Sequence, residues 1–184
     1  MNLMQDPPAK PLTRITVMQG QARVSAGPRV EFSTVLGSCV ATCLYDPEAE
    51  LGGMNHFLLA EPQPGAPATG FDEHYGVYLM ELLINEMLAN GASKPRLRAH
   101  LYGGANMHAG MARIGSMNAE FARGFLARER IALVREDLGG NSARRVEMRP
   151  ASGQVRCRTV ANSMAPAASP APRAPAASGD VELF

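Results

Sequence analysis

The sequence predicts an α+β fold built as one domain. Two amphipathic helical patterns stand among several short β-prone runs. Gly, Pro and Asn clusters punctuate those runs as turns do. The length of 184 residues, with 46% hydrophobic side chains, suits a single domain with a filled core. That apolar share also excludes a chain disordered throughout.

The elements follow in order. Residues 1–12 are polar and Pro-containing and read as a loose arm. Ile15 to Val24 alternates weakly, which predicts one early strand. Phe32 to Asp46 is apolar and β-prone, interrupted at Gly37-Ser38 and stopped by Asp46-Pro47. Gly53 to Ala60 forms a second strand, and a turn over Glu48 to Gly53 makes the two a hairpin. Pro62 to Gly70 holds three Pro and two Gly, a loop composition.

Tyr75 or Gly76 opens the strongest helix, with Leu79, Met80, Leu82, Leu83, Met87 and Leu88 on its apolar face. Asn90-Gly91 stops it, since Gly accepts the left-handed conformation. Leu97, Ala99 and Leu101 alternate with Arg96, Arg98 and His100 as in a strand with one buried face. Ser116 is placed to cap a second helix that runs to about Arg128 with Phe121, Phe125 and Leu126 inward. Ile131–Arg135, Arg145–Met148 and Val155–Val160 read as strands joined by Gly-containing turns. The Ala-, Pro- and Ser-rich stretch 161–179 reads as a tether unable to bury a core. Residues 180–184, Asp-Val-Glu-Leu-Phe, read equally as a docking peptide or as an unremarkable end.

Charge and composition exclude several classes. There is no run of 18 apolar residues to span a membrane, and the N-terminus lacks the basic-then-apolar pattern of a secretory signal, so a cytoplasmic protein is expected. The net charge of +1 argues against non-specific nucleic-acid binding. That sum hides a segregation: residues 31–93 carry nine acidic side chains and no Lys or Arg, while 94–158 carry 13 basic and five acidic ones. The two stretches either neutralise each other across the fold or make a bipolar surface that orients a charged partner. On the second reading the basic stretch is the docking surface, with Arg96, Arg98 and Arg144 as its test residues.

Three cysteines, without a CxxC pair, fit neither a disulfide framework nor structural zinc. Each thiol is then core filler or a nucleophile. Cys39 follows Leu36-Gly37-Ser38, a setting that allows a tight turn with N–H groups aimed at one spot, as an oxyanion requires. In the expected hairpin His56 lies near Cys39, and a thiol beside an imidazole can ionise as a thiolate–imidazolium pair. Cys43 reads as core. His74, His100 and His108 sit after a loop, on a polar strand face and in a Gly/Met-rich loop, and are weaker candidates.

LGSC at 36–39, GGMNHFLL at 52–59, YGVYLMELLINEML at 75–88, YGGANM at 102–107, IGSMN at 114–118 and EDLGGNSARR at 136–145 resemble the CheD family of chemoreceptor glutamine deamidases. The resemblance runs from about Ile15 to Arg158, and several motifs in one order make it specific. It implies a β-sandwich or mixed-sheet core flanked by two main helices over residues 13–160.

It also implies hydrolysis of selected glutamine side chains to glutamate in methyl-accepting chemotaxis receptors, a protein-glutamine glutaminase activity. The implied nucleophile is Cys39, forming a thioester, and the implied base is His56. The family's third member, usually Thr six residues before the cysteine, falls on Ser33, with Thr34 as the register-slip alternative. Val77 and Met117 depart from the family's usual acidic residue and Arg, outside the implied triad. No metal or other cofactor is implied. The partners implied are the receptors and a CheC-type phosphatase that competes for the same face, and a monomer is expected. An adaptor with little turnover, and a cysteine hydrolase acting on another glutamine-bearing protein, are the competing readings. The 62–70 loop reads as a tolerated insertion or as a border of the site.

Overall fold

The computed structural model describes residues 11–59, 74–107 and 113–167, with the side chain of His74 excepted. The 62–70 loop, His108, most of the N-terminal arm and residues 168–184 lie outside the described residues. Among the described residues nine strands and two α-helices form in the order β1 (Thr13–Thr16), β2 (Gln21–Ser25), β3 (Val30–Leu36), β4 (Val40–Asp46), β5 (Leu51–His56), α1 (His74–Ala89), β6 (Arg98–Gly103), α2 (Ile114–Arg128), β7 (Ala132–Leu138), β8 (Arg144–Arg149) and β9 (Gln154–Thr159).

The strands make two sheets. One has the order β1-β3-β8-β9, the other β2-β5-β4-β6-β7. The β1–β3 and β6–β7 pairs are parallel and the rest antiparallel. Two buried clusters define three layers. Leu79, Met80, Leu83 and Met87 of α1 and Phe121, Ala122 and Phe125 of α2 pack on Val40, Leu44, Phe57, Ala99 and Leu101 of the five-stranded sheet. On the other face of that sheet Ala41, Cys43, Met54 and Tyr102 meet Phe32, Leu36, Val146 and Met148 of the four-stranded sheet. The architecture is therefore α+β, helices on a sheet on a sheet.

Strand alternation drives this division. Along β4, Val40 and Leu44 face the helices while Ala41 and Cys43 face the second sheet. A strand buried on both faces needs apolar residues at every position, and the β4 sequence nearly supplies them. The polar Thr42 and Asn55 on the helix side are satisfied internally: Asn55 Oδ1 accepts from the Thr42 N–H (2.9 Å), and its Nδ2 donates to the Leu79 carbonyl (3.1 Å).

The hairpin, the stop of α1 at Gly91 (φ 103°) and the strands β6 to β9 follow the sequence expectation. Two details differ. The single early strand is two, β1 and β2, which lie in different sheets with residues 17–20 as the crossing. Ser116 does not cap α2; the Asn106 side chain from the preceding loop bonds the Ser116 N–H (3.3 Å) and hydroxyl (2.9 Å) instead. Asn162, at the start of the stretch read as a tether, closes on the body: its Oδ1 accepts from Ala143 N–H (2.9 Å) and its Nδ2 donates to Asn141 carbonyl (3.1 Å).

Candidate active site

Cys39 stands where the chain passes from one sheet to the other, between β3 and β4. The turn that carries it is held by its carbonyls. Gly37 accepts from Ala105 N–H (2.9 Å), Ser38 from Asn118 Nδ2 (2.8 Å) and Cys39 from Gly104 N–H (2.8 Å). Gly103 (φ 107°) makes this close approach possible, since a Cβ there would collide with the Cys39 carbonyl oxygen. With the carbonyls fixed on one side, the N–H groups of Ser38 and Cys39 donate to no carbonyl among the described residues.

His56 ends β5, and the Val40–Phe57 bridge brings the start of β4 beside the end of β5. Its ring faces the space between the sheets. Thr34 Oγ1 lies 2.9 Å from His56 Nδ1 and 2.8 Å from the Val17 carbonyl oxygen, and Nδ1 also lies 3.3 Å from that carbonyl. The tautomer follows from counting protons. A carbonyl only accepts, so the one hydroxyl proton of Thr34 goes to Val17, and Thr34 oxygen then accepts from Nδ1–H. That leaves Nε2 with a bare lone pair. It is the one buried side-chain N or O without a hydrogen-bond partner among the described residues.

Burial sets the protonation states. It pushes the Cys39 thiol up to about 12, partly offset by its own N–H. It holds the His56 imidazole down to about 4, against a smaller opposing effect of the Val17 carbonyl. The resting pair is thus neutral thiol and neutral imidazole rather than the thiolate–imidazolium pair that the sequence allowed. The physical reason is desolvation: both side chains are 4% exposed or less, and the sheets that cover them offer no water to a charge. The Cys39 Sγ–H donates to Gln19 Oε1 at 3.6 Å, and no hydrogen bond joins it to Nε2.

Several expectations are met differently. Thr34 rather than Ser33 bonds the imidazole. Phe32, Thr34 and Leu36 share the inner face of β3, so Ser33, one residue off in a period of two, faces away. Cys43 is fully buried, and burial raises its pKa far above the usual range, as suits a core thiol. Cys157 is half-buried between the sheets, 3.6 Å from Asp137 Oδ2. His100 is half-buried, with the Tyr102 hydroxyl 3.4 Å from its Nδ1. Among the described residues no three His, Cys, Asp or Glu side chains gather as a metal site would need.

Of the three arginines expected at a docking surface, Arg96 is committed to Asp46 through two bonds (3.0 and 2.9 Å) and Arg144 to Asp137 (3.0 Å), while Arg98 is exposed and has no partner among the described residues. Three contributors escaped the sequence reading: Gln19, the Val17 carbonyl and Asn118. Asn118 had a signal, a lone amide on the apolar face of a helix.

A family model described as CheD chemotactic sensory transduction matches residues 58–159. Among curated proteins, the chain is 60% identical over 149 residues to one from Zymomonas mobilis, covering 81% of each. It is 50% identical over 179 residues to one from Caulobacter sp. (strain K31), covering 95% of this chain and 94% of that one. Both carry the name "probable chemoreceptor glutamine deamidase CheD". A crystal structure of the Bacillus licheniformis hypothetical protein YfiH is similar over 65% of this chain and 49% of that one, at 12% identity and a TM-score of 0.42. A family match over more than half of the chain, with relatives at such identity along most of both sequences, places the chain in the CheD family.

Proposed function

We propose that the chain hydrolyses glutamine side-chain amides of chemoreceptors to glutamate and ammonia, with Cys39 as nucleophile, His56 as base and Thr34 as the residue that orients the base. The observation that carries this is the geometry at Nδ1: Thr34 Oγ1 and the Val17 carbonyl both lie within bonding distance of it, which puts the proton there and leaves the Nε2 lone pair as the proton acceptor a neutral thiol needs.

The sequence of steps is short. Nε2 takes the thiol proton as sulfur attacks the carbonyl carbon of the glutamine. Because the free thiolate is disfavoured here, proton transfer and attack occur together. The N–H groups of Ser38 and Cys39 receive the oxyanion, and each such donor typically lowers the barrier by ~3 kcal/mol. The imidazolium then protonates the leaving ammonia. Water, deprotonated by the same Nε2, hydrolyses the thioester and regenerates the thiol. The cycle closes without an organic cofactor.

Cys39→Ala is expected to abolish ammonia release from receptor cytoplasmic fragments while leaving the melting temperature near that of the parent. Cys43→Ala is expected to stay active. Peptide mass mapping of the fragment identifies the product, and deamidation by Cys39→Ala, or a cleaved backbone, would reject the mechanism.

The burial of Cys39 favours one further reading, an adaptor that binds receptor or a CheC-type phosphatase and turns over rarely. Binding by pull-down with no deamidation in the same mixture would select it.

A further inference from the structure

The residue that bonds the thiol, Gln19, comes from the crossing between β1 and β2. Val17 N–H donates to Ser33 carbonyl (2.9 Å) and Gly20 N–H to His56 carbonyl (2.8 Å), so both ends of the segment are pinned to the site's own strands. Gly20 has φ 83°, and a Cβ there would collide with the Tyr75 hydroxyl. Between these pins Met18 is 55% exposed, while Gln19 turns inward and receives the Cys39 thiol proton.

Two observations then belong together. The thiol proton goes to Gln19 Oε1, and the Nε2 lone pair that catalysis requires has no donor. In the resting protein the thiol proton is therefore committed to Gln19 and not to His56. The group that holds the thiol proton is a primary carboxamide, the same functional group as in a glutamine substrate.

We propose that the Gln19 carboxamide marks, and in the resting protein occupies, the subsite for the substrate's carboxamide. The entering glutamine displaces it, and the thiol proton is released to turn toward Nε2. This rests on the deamidase reading, yet it predicts a property of the free protein that needs no substrate. Gln19 is a positioning residue here: it governs where the thiol proton sits and takes no part in bond making.

The test is alkylation of Cys39 by iodoacetamide at fixed pH in the full chain, followed by peptide mass mapping so that Cys43 and Cys157 are read separately. Gln19→Ala is expected to speed Cys39 alkylation about fivefold, the factor for loss of one neutral hydrogen bond. Gln19→Glu, which keeps the shape, is expected to slow it, because a carboxylate beside sulfur opposes the thiolate. Met18→Ala, an exposed change in the same segment, is expected to leave it unaltered. With receptor fragment, Gln19→Ala is expected to lower KM more than it changes kcat.

Unchanged Cys39 alkylation in both Gln19 variants, or equal acceleration by Met18→Ala, would overturn the proposal even if deamidation proceeds. Conversion of Gln19 itself to glutamate in the resting protein would also overturn it, by making Gln19 a substrate. The expected alkylation changes with no deamidation by any variant would sink the deamidase reading and leave the occupied subsite standing.

Discussion

A hydroxyl 2.9 Å from an imidazole nitrogen decides which end of His56 carries the proton, and so which end is left as a base. Thr34→Val removes that acceptor while keeping shape. The Val17 carbonyl at 3.3 Å still accepts from Nδ1, so the loss is partial. Deamidation by Thr34→Val is expected to fall about tenfold in kcat, the worth of one hydrogen bond at a working geometry. Thr34→Ser should recover most of it, and Ser33→Ala should lose little. A larger loss in Ser33→Ala than in Thr34→Val, measured by ammonia release, would reverse the assignment. The sequence brought attention to Cys39, His56 and a hydroxyl near position 33, but the choice between neighbours was invisible there. It depends on which face of β3 meets the second sheet, and spacing from Cys39 across a turn does not carry that phase. Gln19 and Val17 were invisible for a different reason: one acts through a backbone carbonyl, and both sit on a crossing that reads as plain strand.

At the scale of elements, α2 does more than cover the sheet. Asn118 on its buried face accepts from Leu59 N–H (2.9 Å) through Oδ1 and donates through Nδ2 to Ser38 carbonyl (2.8 Å). One side chain thus ties the helix to the segment that follows β5 and to the turn that carries Cys39. Asn118→Ala leaves a buried donor and a buried acceptor unpaired, at ~1–3 kcal/mol each. Thermal unfolding of this variant is expected roughly 5–10 °C lower, with kcat reduced because the turn that aims Cys39 has lost a brace. Asn118→Asp should do no better, since its second oxygen would face the Ser38 carbonyl. A parent-like melting temperature in both would remove the brace from the account. The YGGANM and IGSMN motifs were readable as motifs, and their shared purpose appears only when Gly104, Ala105 and Asn118 are seen on three successive carbonyls of the turn. The hairpin and both helices were legible because their periodicities are local. The division of Ile15 to Val24 into strands of two sheets was not, because a crossing is defined by what each half pairs with.

Across the whole molecule the charge segregation takes a specific form. The acidic and basic stretches meet at Asp46, whose carboxylate is fully buried and bonded by Arg96 and by the N–H groups of Ser93, Glu48 and Ala49. Burial pushes this carboxyl up, and Arg96 with the three N–H groups outweighs it, so its pKa lies well below the usual range. Asp46 therefore stabilises the fold above the ordinary carboxylate pKa, and that contribution is lost only as pH falls through the acid range below it. His56 acts at milder pH and with its own sign. Its folded value of about 4 lies below the ordinary 6.5, so between these values the unfolded chain binds the proton and the folded chain does not. Stability therefore rises with pH across that window, and acidification from neutrality to about 4 removes ~3 kcal/mol through this side chain. Cys39 limits the other end: its folded value of about 12 lies above the ordinary 9.0, so the unfolded chain alone ionises above pH 9 and stability falls there. The fold is expected to be most stable between roughly pH 6.5 and 9, the interval in which both proposed catalytic groups are neutral. Urea unfolding midpoints across pH for the parent and for His56→Gln test the acid limb. The variant should lose the slope between pH 4 and 6.5 while keeping the steeper loss below it that belongs to Asp46. Parallel curves for the two proteins would mean that His56 is not held neutral by burial, and the general-base step built on its free Nε2 would go with it.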